Sequence, residues 1–138
     1  MELHQSARLV KSEDLNHHGT LFAGRMAEWF VEGSFVAAAL AVGNPDQIVC
    51  LKVHGMRFNI PAKKGDVLKI TAKVVDAGST SLTVYNRTLS TNTGKVLVEG
   101  FVTFVNVDSD GRKTPHGLVL GRLSDEEKRL RDRARELR

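Results

Sequence analysis

Residues 21–42 read LFAGRMAEWFVEGSFVAAALAV, and the conformation of this stretch decides the rest of the fold. It contains no proline, is rich in Ala, Phe, Leu and Met, and runs into Gly43-Asn44-Pro45-Asp46. Glycine followed by a proline two residues on stops a helix, because the first accepts a left-handed backbone and the second lacks the N–H a helix needs. The stretch therefore predicts one long helix over 21–42. Its apolar side chains cover most of the circumference. Arg25, Glu28 and Glu32 interrupt them at helical spacing and fall on one stripe. A helix of this kind is expected at the centre of a fold rather than on its surface.

The chain on both sides reads differently. Residues 6–10 alternate and predict a short edge strand. The segment SEDLNHHG at 12–19 is a polar loop. Beyond the helix, strands are predicted over 48–54, 67–75, 81–89 and 96–107. The links between them, PAKKGD at 61–66, DAGS at 76–79 and TNTG at 91–94, each contain a glycine and suit antiparallel neighbours. Residues 108–122 read as an irregular polar connection. One helix with an antiparallel sheet wrapped around it is an α+β arrangement. Its uncovered sheet edges need pairing, which a second copy of the chain would supply.

The last segment, 123–138, forms a separate unit in this reading. Ser124 with Glu127 three residues later makes a capping box, and the Lys and Arg crowding the far end suit the helix dipole. Leu130 and Leu137 are too few to define a buried face, so the helix is expected to be solvated. The alternative is docking on a partner subunit or a nucleotide.

Composition narrows the function classes. Charged residues are 26% and hydrophobic residues 41% of the 138, ordinary for a globular domain of this size. No apolar run approaches the ~20 residues that span a bilayer. The first residues lack a basic segment leading into an apolar one, so a cytoplasmic protein is expected. The net charge of +4 permits nucleic-acid binding. However, the chain shows neither an aromatic platform nor a helix-turn-helix pattern, and a phosphate-bearing small molecule suits a basic surface equally well. Cys50 is the single cysteine. Flanked by Val49 and Leu51, it reads as a buried thiol in a strand rather than a nucleophile.

The segment DLNHHGTLFAGRM at 14–26 strongly resembles the signature of the hotdog-fold acyl-CoA thioesterases, in the branch of YciA-like and brain acyl-CoA hydrolase-like enzymes. Their pattern is roughly N-x-x-G-x-x-F-G-G, followed by a helix carrying an acidic residue. VHGMRF at 53–58, Pro61 with Gly65-Asp66, GSTSL at 78–82 and the strand from Phe101 to Asp108 match the family in order, so the resemblance covers about residues 8–115. It implies a long helix wrapped by an antiparallel sheet over residues 1–122. It also implies a dimer, often assembled into tetramers or trimers of dimers, with an active site at the dimer interface built from both subunits. The resemblance further implies an acyl-CoA thioester as substrate, hydrolysis by water, and no metal or prosthetic group.

Carried over residue by residue, Asn16 matches the loop asparagine that contacts the reacting centre. Gly24 matches the helix start whose N–H groups face the thioester oxygen. Ala23 replaces the first glycine of the usual pair, which is acceptable if its φ is negative. The family places its catalytic carboxylate fifteen residues after the asparagine, and here that position is Val31. Valine cannot activate water. Glu32 is adjacent, but one step along a helix turns a side chain by ~100°. It would need a local shift such as a π-bulge near Gly33. Glu28, about 60° from Val31 around the axis, is the rival. Both carboxylates also have a structural reading, as partners of Arg25 or of a neighbouring subunit. His17, His18, Phe22, Arg57, Thr80 and Ser81 are candidate contacts for the substrate and its coenzyme A, with Lys63 and Lys64 beside the phosphates. Each also has an ordinary loop, turn or surface reading. His54 reads as a core or interface residue, and His17, His18 and His54 lack a metal-ligand spacing. The expected activity is hydrolysis of acyl-CoA. The alternative, motivated by Val31, is a protein that binds acyl-CoA without cleaving it.

Overall fold

The computed structural model describes residues 2–137. Strand β1 spans His4–Leu9, helix α1 Ala23–Val42, and strands β2 to β5 span Ile48–Phe58, Val67–Ala77, Ser81–Ser90 and Val96–Asn106; helix α2 follows at Asp125–Glu136. The strands form one sheet in the order β1-β3-β4-β5-β2, and every neighbouring pair is antiparallel. Among the described residues no helix is long and apolar enough to cross a membrane.

Helix α1 ends where its sequence stops supporting it. Gly43 takes φ 90° and its N–H bonds the Ala39 carbonyl at 2.7 Å, a left-handed cap that glycine adopts without a Cβ penalty. The helix lies across one face of the sheet. Met26, Trp29, Phe30, Gly33, Ser34, Ala37 and Ala38 are buried, packed on Ile70, Val74, Leu82, Val84, Val98 and Val102. Burying a side chain the size of Phe30 contributes roughly 1.5–3 kcal/mol. The expectation of a helix buried all round is corrected here. Leu40 is 68% exposed, and Glu28 and Glu32 face outward, because a single sheet covers only one side of the helix.

A buried polar clamp fixes α1 on the sheet. Asn86 of β4 is fully buried and donates from its amide to the Phe30 carbonyl and to Ser34 Oγ, both at 3.0 Å. Its own oxygen accepts from Thr88 Oγ1 at 3.2 Å. Each of these buried groups, left without its partner, costs about 1–3 kcal/mol. The clamp therefore specifies where along the sheet the turn carrying Val31 sits.

Strand β2 runs further than predicted, to Phe58, because Gly55 at φ 63° lets it kink and continue. Gly100 on β5 makes this possible: a Cβ there would meet the Met56 Cα at 2.6 Å. β2 is also a free edge of the sheet. Cys50 is exposed rather than buried, and so are Val49, Leu51 and Val53. The apolar flanks that suggested a buried thiol instead mark an apolar edge.

The C-terminal helix differs more from expectation. Its capping box forms as predicted, with Ser124 and Glu127 exchanging hydrogen bonds at 3.1 Å. The helix is solvated on its outer side only. Its other side packs on the chain's own sheet, on the face opposite α1. Leu130 and Ala134 are buried against Val75 and Phe101 with Tyr85 alongside. Arg135 grips the buried Asp76 with two bonds, Nε to Oδ2 at 3.0 Å and Nη2 to Oδ1 at 2.9 Å. Arg133 lies 5.6 Å from the Phe101 ring centroid. The apolar stripe is only two residues wide; side chains of β3, β4 and β5 supply the rest.

Tyr85, the only tyrosine, reports on this interface. Its hydroxyl donates to Glu99 Oε2 at 2.9 Å. Burial, then the bond to Glu99 and its charge, push its pKa up to about 12, against a smaller pull from Arg133 and Arg87. The neutral phenol is thus favoured in the folded state. That stabilisation is fully present below the unfolded value near 10 and is lost as pH rises from there through the folded value. Phenolate absorbance of the folded protein is expected to titrate near 12, with stability falling above about pH 10. A folded midpoint near 10 contradicts this packing.

Candidate active site

The loop before α1 is organised by Asn16. Its Oδ1 accepts from the His18 N–H at 2.9 Å and the Thr20 N–H at 3.2 Å. Its amide donates to Thr20 Oγ1 at 3.2 Å, which spends one of two amide hydrogens and leaves one for a ligand. The loop is pinned below by Asp14, which is buried. Asp14 accepts from the Lys11 N–H at 2.9 Å, its carbonyl accepts from the Phe22 N–H at 2.9 Å, and its carboxylate lies 3.5 Å from Arg25 Nε.

Asn16 and Thr20 are the polar edge of a cleft of roughly 200 Å³, whose apolar walls include Ala23, Met26, Phe58, Ile60 and Leu97. The cleft opens beside the N-terminus of α1. Phe22 occupies the cap position and no side chain caps the helix. Arg25 and Met26 are the first residues whose N–H groups bond back, both to the Phe22 carbonyl. The N–H groups of Ala23 and Gly24 precede any intrahelical acceptor and are available, with the positive end of the helix dipole behind them. Among the described residues none other than glycine has positive φ, so alanine is tolerated at 23. Gly24 is needed for a different reason: a Cβ there would lie 2.6 Å from the Phe22 ring, which packs alongside. Asn16 and Ala23 line the cleft, and Phe22 and Gly24 adjoin it at the helix start.

The carboxylates lie elsewhere on the chain. Glu28, Val31 and Glu32 line one open groove on the outer side of α1, with Arg8, Arg25 and Trp29. This groove shares no residue with the Asn16 cleft. Glu32 is held by Arg8 of β1 at 2.6 Å, and the same guanidinium lies 5.5 Å from the Trp29 ring centroid. Its partner is therefore not Arg25. Glu28 meets Arg25 at 3.6 Å, one helical turn away, and its side chain is 68% exposed. Helix α1 is regular throughout, so no π-bulge re-aims Glu32.

The remaining candidates are dispersed. His17 and His18 stack on each other at 3.9 Å on the exposed loop tip. Arg57 is exposed on β2, opposite Glu99. Thr80 and Ser81 sit in the β3–β4 hairpin, at the end of the sheet where Ser81 pairs with Val105; the Asn16 cleft is at the other end, where Phe58 pairs with Val98. His54 is buried and hydrogen-bonds Thr103 Oγ1 at 2.9 Å, as a core residue does. Among the described residues no three His, Cys, Asp or Glu side chains are grouped to hold a metal ion. Sequence reading missed Asp14, Thr20 and Arg8. A buried loop aspartate has no signature of its own, and Arg8 meets Glu32 only because β1 lies beside α1.

Comparison with known proteins identifies the pattern. The thioesterase superfamily model matches residues 18–105. The acyl-CoA thioester hydrolase YciA of Salmonella typhimurium is 30% identical over 115 residues, covering 78% of this chain and 84% of that protein. A hexameric acyl-CoA thioesterase, solved in its apo form, superposes with a TM-score of 0.85 at 31% identity, over 97% of this chain and 86% of that one. An acyl-CoA hydrolase from Staphylococcus aureus, solved with butyryl coenzyme A, coenzyme A and coenzyme A disulfide, gives 0.85 at 28% identity, over 97% and 80% of the two chains. That hydrolase has also been solved with alanine replacing an asparagine and, in a separate variant, an aspartate fifteen residues further on. Asn16 and Val31 have the same separation here.

Proposed function

The chain belongs to the thioesterase superfamily, and from that membership we propose that it hydrolyses acyl-coenzyme A thioesters to a free acid and coenzyme A. The observation that carries the reading is the Asn16 cleft. A largely apolar slot ends at one unspent amide hydrogen and at the two free N–H groups of Ala23 and Gly24. This is the arrangement that hydrolysis of a thioester requires. The acyl and pantetheine carbons occupy the apolar walls. The carbonyl oxygen accepts from the helix N–H groups, which stabilise the negative charge it acquires when water adds. Asn16 orients the attacking water or the carbonyl. A carboxylate takes the proton from that water as its oxygen bonds to the carbonyl carbon. The tetrahedral intermediate then collapses, the C–S bond breaks, and the thiolate of coenzyme A leaves and is protonated. The steps use only water and the ester.

The carboxylate is supplied by a second copy of the chain. Glu28 and Asn16 stand in separate recesses of one molecule, while the β2 edge presents Val49, Leu51 and Val53 for pairing. Pairing two such edges joins two sheets and closes both sites. Hexamers are the assembly named for the similar thioesterase. We assign the base to Glu28. The carboxylate of Glu32 is occupied by Arg8 at 2.6 Å, whereas Glu28 stands 3.6 Å from Arg25 with its side chain 68% exposed and open to water. Thr80, Ser81 and Arg57 are available to the coenzyme of a neighbouring copy's site.

The test is release of free thiol by the purified protein from a panel of short, long and aromatic acyl-CoA esters. Turnover on the order of 1 s⁻¹ or more on at least one ester is expected. Binding of the esters without release of thiol would replace this reading with that of an acyl-CoA binding protein.

A further inference from the structure

The Asn16 cleft has a floor as well as a mouth. Phe58 and Ile60 are exposed and stand with Ala23 at the mouth. Met26, Leu97 and Val98 also line the cleft, yet each is at most 3% exposed. Lining residues that water does not reach lie deeper than those it does. Ala23 and Met26 are three residues apart on α1, so they share a face, with Met26 about 4.5 Å further along the axis. A thioester whose oxygen meets the N–H groups of Ala23 and Gly24 therefore sits at the mouth. One of its two arms points outward and the other points toward Met26. The coenzyme arm carries charges and amides that cannot enter a dry apolar floor without losing their hydration. The acyl arm takes the floor.

Nothing beyond the floor continues the passage. Behind Met26 the buried stripe of α1 runs on through Phe30, Ser34 and Ala37. Phe30 and Ser34 are fully buried, and Asn86 holds the carbonyl of the first and the hydroxyl of the second, both at 3.0 Å. A chain passing Met26 would have to displace the Phe30 ring and part this clamp. The next recess along α1, about 400 Å³ in volume and lined in part by Leu3, Ala37, Leu40 and Val74, shares no residue with the cleft.

We infer that the cleft gauges acyl length, that Met26 sets its limit, and that the substrates are esters of short and medium acyl groups. An apolar cavity of about 150 Å³ takes a benzene ring. A cleft of roughly 200 Å³ then holds an acyl group of up to about eight carbons. The unbranched thioether of Met26 adapts to straight, branched and ring-bearing groups alike, so the cleft selects by size more than by shape. The inference rests on the hydrolase reading for the placing of the thioester, whereas the depth of the cleft belongs to the fold.

Straight-chain esters from acetyl- to palmitoyl-coenzyme A, each kept below its micelle concentration, read the limit as kcat/KM for thiol release. In the wild type, kcat/KM is expected to hold through about eight carbons and to fall at least about tenfold by dodecanoyl, since one methylene too many in an apolar pocket can cost that much. Met26→Ala removes about three heavy atoms from the floor. It is expected to raise the decanoyl-to-hexanoyl ratio of kcat/KM at least about tenfold. Leu97→Ala, on β5, is expected to move the same ratio in the same direction and stands in if Met26→Ala fails to fold. The ratio is internal to each protein, so a loss of stability or of active fraction does not move it. A wild-type kcat/KM undiminished out to palmitoyl, or folded variants with the wild-type ratio, overturns the gauge, while thiol release from any ester leaves the hydrolase reading standing. If no ester releases thiol, the hydrolase reading fails, and calorimetric Kd values for the same esters carry the test. Affinity that levels off beyond about eight carbons supports the gauge, and affinity that keeps rising with each added methylene overturns it.

Discussion

Glu28→Gln is expected to lower kcat for acyl-CoA hydrolysis by at least about 100-fold, and Glu32→Gln by less than about tenfold; removing a general base typically costs 10²- to 10⁴-fold. The two residues lie in one groove and differ in what already holds them. Arg8 binds Glu32 at 2.6 Å and also covers Trp29, so Glu32 ties β1 to α1. An exposed ion pair of this sort stabilises by ~1 kcal/mol or less. The expected result of losing it is therefore a small change in melting temperature rather than in turnover. Among the described residues Glu28 is ion-paired with Arg25 alone, at 3.6 Å, and its oxygens remain open to a water. Placing an aspartate at Val31 restores the separation from Asn16 at which the Staphylococcus aureus hydrolase has its aspartate. Val31→Asp introduced into the Glu28→Gln protein is accordingly expected to recover turnover. Val31 is half-buried at the groove rim, so a carboxylate there reaches water without unpacking the core. If Glu32→Gln is instead the inactive variant, the Arg8 tie orients the base, and the assignment to Glu28 is wrong.

The parts of this fold set by local rules were legible before any coordinates. Gly43, Asn44 and Pro45 ended α1 where expected, and the glycine-bearing turns placed β3, β4 and β5 to within two residues. Ser124 and Glu127 announced α2. What could not be read depends on partners distant in the chain. Cys50 and its flanks are apolar whether β2 is central or at an edge, and only the order β1-β3-β4-β5-β2 exposes them. The C-terminal helix offers two apolar residues, too few to predict docking. Asp76, Glu99 and Phe101 complete its seat from strands whose outward faces have no distinguishing pattern. Likewise, Asn86 read as an unremarked polar position in a strand. Its role follows from sitting beneath the Phe30 carbonyl, fifty-six residues away in sequence.

Because Asn16 and Glu28 stand in separate recesses of one molecule, we propose that each active site is built from two copies of the chain. The most direct test is subunit mixing. Asn16→Ala removes the loop donor and is expected to cost about 100-fold or more, as loss of a donor at a developing charge does. Glu28→Gln removes the base. Each variant alone is nearly inactive under this account. When the two are mixed and allowed to exchange subunits, half of the dimers carry one chain of each kind. In such a dimer one site has lost both residues and the other has kept both, so the mixture is expected to regain about a quarter of wild-type thiol release. Recovery would also show that both variants fold and pair. A mixture that releases no more thiol than its two components, with exchange verified by mass, would contradict a shared site and place Asn16 and its base in one chain.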